Sequence, residues 1–198
     1  VGVSGLLAAL LGVPLGVMLY VTRPRQILAR PALNQALGIV TNIGRSIPFI
    51  ILMVAIIPFT RMVVGTSIGT NAAIVPLTIA AIPFVARLVE GALNEIPPGL
   101  VEAAQSMGAT PGQIITKVLL PEARGGIITG LTITIVTLVS YSAMAGAVGG
   151  GGLGDLGIRY GYNRFNPTVM LITVAILVVM VQGFQSLGDY LVRKSDRK

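Results

Sequence analysis

Long apolar stretches without a single charged residue alternate with short polar segments along this chain. Asp, Glu, Lys and Arg are all absent from residues 1–22, 62–86, 125–154 and 165–188, and from a shorter run over 46–60. A helix needs about 20 apolar residues to cross the roughly 30 Å of hydrocarbon in a bilayer. The pattern therefore predicts five membrane-spanning helices, over residues 1–21, 40–60, 68–89, 126–148 and 167–190.

The predicted fold class is all-α, a polytopic membrane helix bundle that forms one domain over residues 1–198. Lipid-facing backbone must satisfy its own hydrogen bonds, which only helices and closed barrels achieve, and these segments lack the alternation of barrel strands. Spanning helices tolerate proline, so we interpret the prolines within the spans as sites of kinking: Pro14, Pro48, Pro58, Pro76 and Pro83.

Composition agrees with a membrane protein. The chain is 54% hydrophobic and only 11% charged, with a mean hydropathy of +0.86, whereas soluble domains are roughly a quarter charged. It begins at Val1 without an initiator Met and without the basic flank of a signal peptide. We therefore expect the natural first helix to be longer than residues 1–21.

Lys and Arg are distributed unequally between the two sides of the five-span arrangement. One side carries three, Arg61, Arg159 and Arg164, and the other carries eleven: Arg23, Arg25, Arg30, Arg45, Arg87, Lys117, Arg124, Arg193, Lys194, Arg197 and Lys198. Cytoplasmic loops are enriched in these residues, which predicts an outside N-terminus and a cytoplasmic C-terminus. The net charge of +7 then reflects topology and contact with anionic lipid rather than nucleic-acid binding, because the basic residues are scattered at span ends.

The loop between the third and fourth spans, residues 95–123, is polar yet helical in pattern. Apolar residues recur at helical spacing on one predicted face: Leu100, Ala103, Ala104 and Met107. Gly108 predicts a left-handed stop. The following helix is predicted to start with Thr110 as N-cap, Pro111 at its first position and Gln113 completing a capping box, and to end at Pro121.

This loop is thus predicted to be two short helices joined at a rigid corner, which we call the elbow (residues 95–123). One interpretation is a connector that lies on the membrane surface or re-enters the bundle. The other is a docking element for a cytosolic partner.

The elbow also carries the residues of a known motif. Glu102-Ala103-Ala104, then Gly108, and later Leu120-Pro121 resemble the EAA loop of the permeases of ATP-binding cassette (ABC) importers. The resemblance extends to most of the chain, including "RSIPFIILMVAIIPFTRMVVGTSIGTNAAIVPLTIAAIPFVARLVE", "SMGATPGQIITKVLLPEA" and "YSAMAGAVGGGGLGDLGIRYGY", and is greatest to permeases of methionine importers.

The resemblance implies an assembly in the bacterial cytoplasmic membrane. Two copies of the chain would form the pathway, two cytosolic ABC ATPases would dock on the two elbows, and an extracytoplasmic methionine-binding protein would deliver the substrate. ATP and Mg²⁺ would belong to the ATPases, and the chain itself would need no cofactor. A phosphate-binding loop requires a Gly-Lys pair, which this sequence lacks, so the energy is expected to come from a partner.

An enzymatic function is disfavoured. The chain contains no His and no Cys, which removes the usual nucleophile pairs and zinc sites. "GLGD" at 152–155 resembles a motif of intramembrane aspartyl proteases, but the partner candidate Asp189 is predicted on the opposite side. We interpret this segment as a glycine-rich outer turn in which Asp155 caps a helix.

The alternative function is a secondary amino-acid carrier or a channel without an ATPase partner. Ion-coupled carriers place ionisable groups near the middle of the membrane, and the centres of the five predicted spans contain none. A carrier would also have no use for the elbow.

Residues of the passage are predicted at the end of the fourth span: Ser140, Tyr141, Ser142 and Met144. Small residues and a single Met are also typical of tight helix packing, which is the alternative interpretation. On the two-fold axis of a dimer, Met144 would close the passage as an apolar plug. The sequence leaves the substrate range open between L-methionine, D-methionine, derivatives and other amino acids.

Overall fold

The computed structural model of the chain describes residues 1–196, all of whose regular structure is helical. In chain order the helices are α1 (Gly2–Val21), α2 (Pro31–Ser46), α3 (Phe49–Ala55), α4 (Ile57–Val64), α5 (Thr70–Asn94), α6 (Pro98–Ser106), α7 (Pro111–Ile114), α8 (Leu120–Glu122), α9 (Arg124–Ala145), α10 (Leu153–Leu156) and α11 (Pro167–Asp196). Wider π-helical turns connect some of them, over Ile115–Leu119, Gly146–Gly150 and Gly157–Tyr162.

Within the described residues 1–196, four helices are long and apolar enough to cross a membrane, namely α1, α5, α9 and α11. A fifth crossing is formed if α2 and α3, which meet at 101°, count as one span. This confirms the prediction of a polytopic helix bundle. The third span extends five residues beyond its predicted end, to Asn94, and the fifth continues to Asp196.

The second predicted span, residues 40–60, is not one helix, and the sequence prediction was wrong in this respect. The helical path begins earlier, at Pro31, and breaks twice, at Ile47–Pro48 and at Ile56. Ile47 is extended (φ −85°, ψ 121°), because proline excludes the helical conformation from the residue before it. Pro58 then lies in the first turn of α4, where its missing N–H has no partner to lose.

Proline does not break the helices that pack in the centre of the bundle. Pro14 lies inside α1, and Pro76 and Pro83 lie buried inside α5. These two helices pack against each other along much of their length. A side chain at Gly12 would lie 2.7 Å from the Val85 side chain, and one at Gly16 would lie 2.6 Å from a backbone carbonyl oxygen of α5. Close approach through these glycines holds α1 and α5 together as one unit.

The third long helix, α9, packs against both α5 and α11 and thereby connects the bundle. Phe49 at the start of α3 stacks on Tyr141 of α9, with ring centroids 4.6 Å apart and planes 4° from parallel. The elbow belongs to the same apolar core, since Ile114 and Leu119 are buried together with Leu93 of α5. The elbow is therefore fixed to the end of the bundle.

Candidate functional site

The first half of the elbow ends as predicted. Gly108 has a φ of +78°, the left-handed conformation that glycine adopts without penalty. The Ala109 N–H donates to the Ala104 carbonyl (3.1 Å) and the Gly108 N–H to the Gln105 carbonyl (2.9 Å). This pair of bonds is the Schellman motif, which satisfies the last carbonyls of α6 and fixes the direction in which the chain leaves it.

The second half of the elbow begins with the predicted capping box. The Gln113 N–H donates to Thr110 Oγ1 (3.4 Å), and the Thr110 N–H donates to Gln113 Oε1 (2.9 Å). Pro111 occupies the first turn of α7. Reciprocal bonds of this kind satisfy two otherwise unpaired donors, so the corner between α6 and α7 has a defined geometry.

Pro121 does not end the second elbow helix, contrary to the prediction. The helix widens into a π turn over Ile115–Leu119, where the Leu120 N–H reaches back to the Ile115 carbonyl, and Leu120 and Pro121 then lie in α8. The wider turn gives the proline ring room before the chain turns at Ala123. The elbow thus leads almost directly into α9.

The apolar face predicted for α6 is divided between two sides. Ala104 is buried together with Val101, so these two residues fix the helix to the bundle. Leu100 and Met107 are instead 41% and 81% exposed, and Glu102 and Ala103 are also exposed. The exposed surface of α6 and the residue after it therefore combines apolar side chains with one carboxylate and other polar groups, which suits contact with another protein.

Two of the four predicted passage residues line one groove at the other end of α9. Ser140 and Met144 are exposed there, on a groove of about 570 Å³ between α9, α10 and α11. The remaining walls are mostly apolar and include Met170, Thr173 and Gln182, which the sequence did not indicate. Thioether, hydroxyl and amide groups thus converge on a largely apolar surface.

The other two predicted passage residues lie elsewhere. Tyr141 is half-buried and stacks on Phe49 of α3. Ser142 is also half-buried and does not line the groove. The structure therefore assigns Tyr141 to packing between α3 and α9, whereas Ser140 and Met144 remain the accessible members of the set.

The glycine-rich segment after α9 folds back onto it. Gly154 of α10 lies directly against the backbone of Ala143, so that any side chain there would overlap it. Asp155 does not cap α10 as predicted: Gly152 is the N-cap residue, and the Asp155 carboxylate pairs with Arg159 at 3.1 Å. Asp155 and Asp189 belong to opposite ends of the bundle, and no set of acidic residues suited to a metal occurs within residues 1–196.

Sequence reasoning missed an ionic cluster beside the elbow. The Glu90 side chain is only 4% exposed, and its two oxygens accept hydrogen bonds from Arg23 and Arg87, each at 2.6 Å. Arg23 also donates to Asn94. We call these three charged residues the Glu90 cluster; it joins the end of α1 to the last two turns of α5.

The Glu90 cluster also extends to α2. Arg87 donates to the Gly38 carbonyl (3.2 Å) and to Asn42 Oδ1 (2.8 Å). The sequence does contain an indication of the Glu90 cluster, because Glu90 is the first carboxylate of the chain and follows six arginines. An isolated acidic residue at the end of an apolar span indicates pairing with some of those arginines.

Comparison with known proteins agrees with this architecture. Residues 12–197 match the family described as "Binding-protein-dependent transport system inner membrane component". A solved structure titled "Inward facing conformations of the MetNI methionine ABC transporter" superimposes with a TM-score of 0.96 at 57% identity, over 98% of this chain and 89% of that one. An amino acid ABC transporter solved with histidines, 22% identical, shares the fold with a TM-score of 0.73 over 96% of this chain and 88% of that one.

Two curated relatives show the extent of the sequence similarity. The probable D-methionine transport system permease protein MetI of Vibrio cholerae is 64% identical over 198 residues, which cover all of this chain and 88% of that protein. The D-methionine transport system permease protein MetI of Escherichia coli is 58% identical over 144 residues, or 73% of this chain and 66% of that protein. The chain therefore belongs to the family of inner membrane components of binding-protein-dependent transport systems.

Proposed function

We propose that this chain is the permease subunit of an ABC importer that takes up methionine across the bacterial cytoplasmic membrane. The observation that carries the proposal is the similarity over nearly the whole chain to the membrane subunit of a methionine ABC transporter, at 57% identity and a TM-score of 0.96. Methionine combines an apolar side chain with a zwitterionic head. The mostly apolar groove beside Met144, with its few hydroxyl and amide groups, suits such a substrate.

The elbow is the docking element for a separate ATPase chain, which binds ATP and Mg²⁺. Its Schellman motif and capping box make the corner rigid, and its outer surface offers Leu100 and Met107 next to the Glu102 carboxylate. A cationic side chain of the ATPase can pair with Glu102 as the apolar surface is covered. The permease itself carries out no hydrolysis, since its sequence has no phosphate-binding Gly-Lys pair.

Two copies of the chain form the passage, with the exposed Met144 side chains closing it from either side of the two-fold axis. Met144 is 46% exposed in a single copy, on a groove that another copy would cover. An extracytoplasmic methionine-binding protein delivers the substrate to this end. The N-terminus lies outside and the C-terminus lies in the cytoplasm, in accordance with the charge asymmetry of the loops.

Reconstitution tests the function directly. The chain is purified with the ATPase and binding protein of the same source, and uptake of labelled L- and D-methionine into liposomes is measured. We expect uptake of at least one enantiomer that requires ATP and the binding protein together. Uptake driven by an ion gradient without ATP would instead establish the secondary carrier.

A further inference from the structure

One arginine lies deeper in the bundle than its sequence position suggests. Gly44 of α2 packs against Pro83, such that a side chain on it would meet the Pro83 ring at 3.1 Å. Pro83 is the fourteenth of the 25 residues of α5, about 20 Å from its outer end at 1.5 Å per residue. The backbone of Arg45, next to Gly44, therefore lies level with the middle of a spanning helix, and not at the cytoplasmic end of the second span as predicted.

Arg45 also points away from the apolar side of α2. That side is exposed and consists of Ile39, Val40 and Ile43. Two residues along a helix correspond to about 160° between side chains, so Arg45 lies nearly opposite Ile43. It lies instead on the side of Gly38 and Asn42, both of which Arg87 contacts, and yet it is exposed. An exposed charge at this depth, on the opposite side of the helix from its exposed apolar residues, requires water or another molecule beside it.

The chain supplies no carboxylate for Arg45 in the part that the structure describes. The Glu90 carboxylate is occupied by Arg23 and Arg87, and Asp155 pairs with Arg159. The other carboxylates of the described region belong to the elbow or to the last part of α11. The helical path also breaks two residues after Arg45, where α2 and α3 meet at 101°. In secondary transporters, broken helices near mid-membrane are a common site of substrate contact.

From these observations we propose that Arg45 binds the carboxylate of the transported amino acid as it crosses the middle of the membrane. The planar guanidinium pairs with a carboxylate through two parallel hydrogen bonds, which an ammonium cannot reproduce. This inference rests on the proposed function and adds to it the chemical group that the chain recognises. A purely structural role is the alternative, because Arg45 is in the last turn of α2, where a positive charge favours the helix dipole.

The first test measures transport by the complex reconstituted with its ATPase and binding protein. We expect Arg45→Gln to lower the methionine imported per ATP hydrolysed by about ten-fold or more, since a charge-assisted bond is lost. Arg45→Lys should recover only part of it. Arg61→Gln is the matched control, because Arg61 is also an exposed arginine in the last turn of a short helix. It should stay within about two-fold of the unmodified complex.

The second test uses the absence of cysteine from the sequence. The single thiol of an Arg45→Cys variant should react with a membrane-impermeant sulfonate reagent, and saturating methionine should slow that reaction. The thiol of an Ile43→Cys variant, on the apolar side, should stay unreactive. A purely structural Arg45 predicts lower complex yield and thermal stability with unchanged methionine imported per ATP.

Several results would overturn the proposal: an unreactive thiol at position 45, labelling that methionine does not slow, full recovery by Arg45→Lys, or unchanged transport in Arg45→Gln. Failure of every position-45 variant to assemble would also overturn it in favour of a folding role. Failure of the proposed function is distinct, because it would appear as absent methionine uptake in the unmodified complex.

Discussion

The guanidinium of Arg23 donates a 2.6 Å hydrogen bond to the buried carboxylate of Glu90, 67 residues further along the chain. Arg23 follows the end of α1, and Glu90 lies in the part of α5 that leads to the elbow. Because Arg87 holds the second oxygen, the Glu90 carboxylate has one well-defined position. The ends of α1 and α5 and the middle part of α2 thus meet around a single buried charge.

Removal of this charge should destabilise the bundle. Glu90→Ala leaves two partly buried guanidinium groups without their partner, and we expect a loss on the order of 3 kcal/mol in the free energy of unfolding. Denaturant titration of the purified chain in detergent measures it. Asp155→Asn, which breaks the more exposed pair with Arg159, should cost about 1 kcal/mol or less. Equal losses in the two variants would contradict a structural role for the Glu90 cluster.

Substitutions in the elbow should impair docking of the ATPase without impairing insertion of the chain into the membrane. Glu102→Ala removes a charge from the exposed surface, and Gly108→Leu strains a backbone with φ +78° by roughly 1 kcal/mol. Both variants should still insert into the membrane, but lose the co-purifying ATPase or hydrolyse ATP without uptake. Gly183→Ala is the control, because no neighbouring atom lies near that position. A stable and transport-competent complex in both elbow variants would show that the elbow does not dock the ATPase.

Met144→Ala should weaken closure of the passage. A shorter side chain removes about 1 kcal/mol of apolar contact, which corresponds to a roughly five-fold change in the population of the closed form. We expect ATP hydrolysis without delivered substrate to rise, together with leak of methionine from loaded liposomes. If both rates stay unchanged, Met144 only fills space between helices.

Reporter fusions check the orientation. A reporter after Lys198 and another inserted near Thr110 should both be cytoplasmic, and one near Tyr160 should be outside. The reason is that most Lys and Arg residues lie on the same side as Lys198 and Thr110, and cytoplasmic loops are enriched in them. Activity of compartment-specific reporters in intact cells is the measurement. An outside result at Thr110 would invalidate both the five-span arrangement and cytosolic docking.

Local features of the sequence predicted local features of the structure. The run of charge-free segments predicted the spans, and the spacing of Thr110, Pro111 and Gln113 predicted a capping box that is present. Whether a helix continues through a proline depends on packing. Pro83 stays within α5, which packs against α1 and α2, whereas the helix ends before Pro48. No local pattern distinguishes these two prolines.

Only the local features of the candidate site could be predicted from the sequence. Gly108 and Thr110 act through bonds to residues within five positions, so the sequence is sufficient to predict them. Glu90 depends on an arginine 67 residues away, and the depth of Arg45 depends on where α2 packs along α5. Such relationships come from the tertiary arrangement of helices, which spacing alone does not determine.

No loop separates the second elbow helix from α9, because Pro121 lies within α8, and this connection has a mechanical consequence. The end of the elbow and Met144 lie at opposite ends of α9, because only the turn at Ala123 separates α8 from α9. The 22 residues of α9 span about 33 Å. A partner that moves the elbow and tilts α9 about its middle would move the Met144 end of this helix in the opposite direction. Opening on one side of the membrane and closing on the other would then be one motion, with no relay between separate helices.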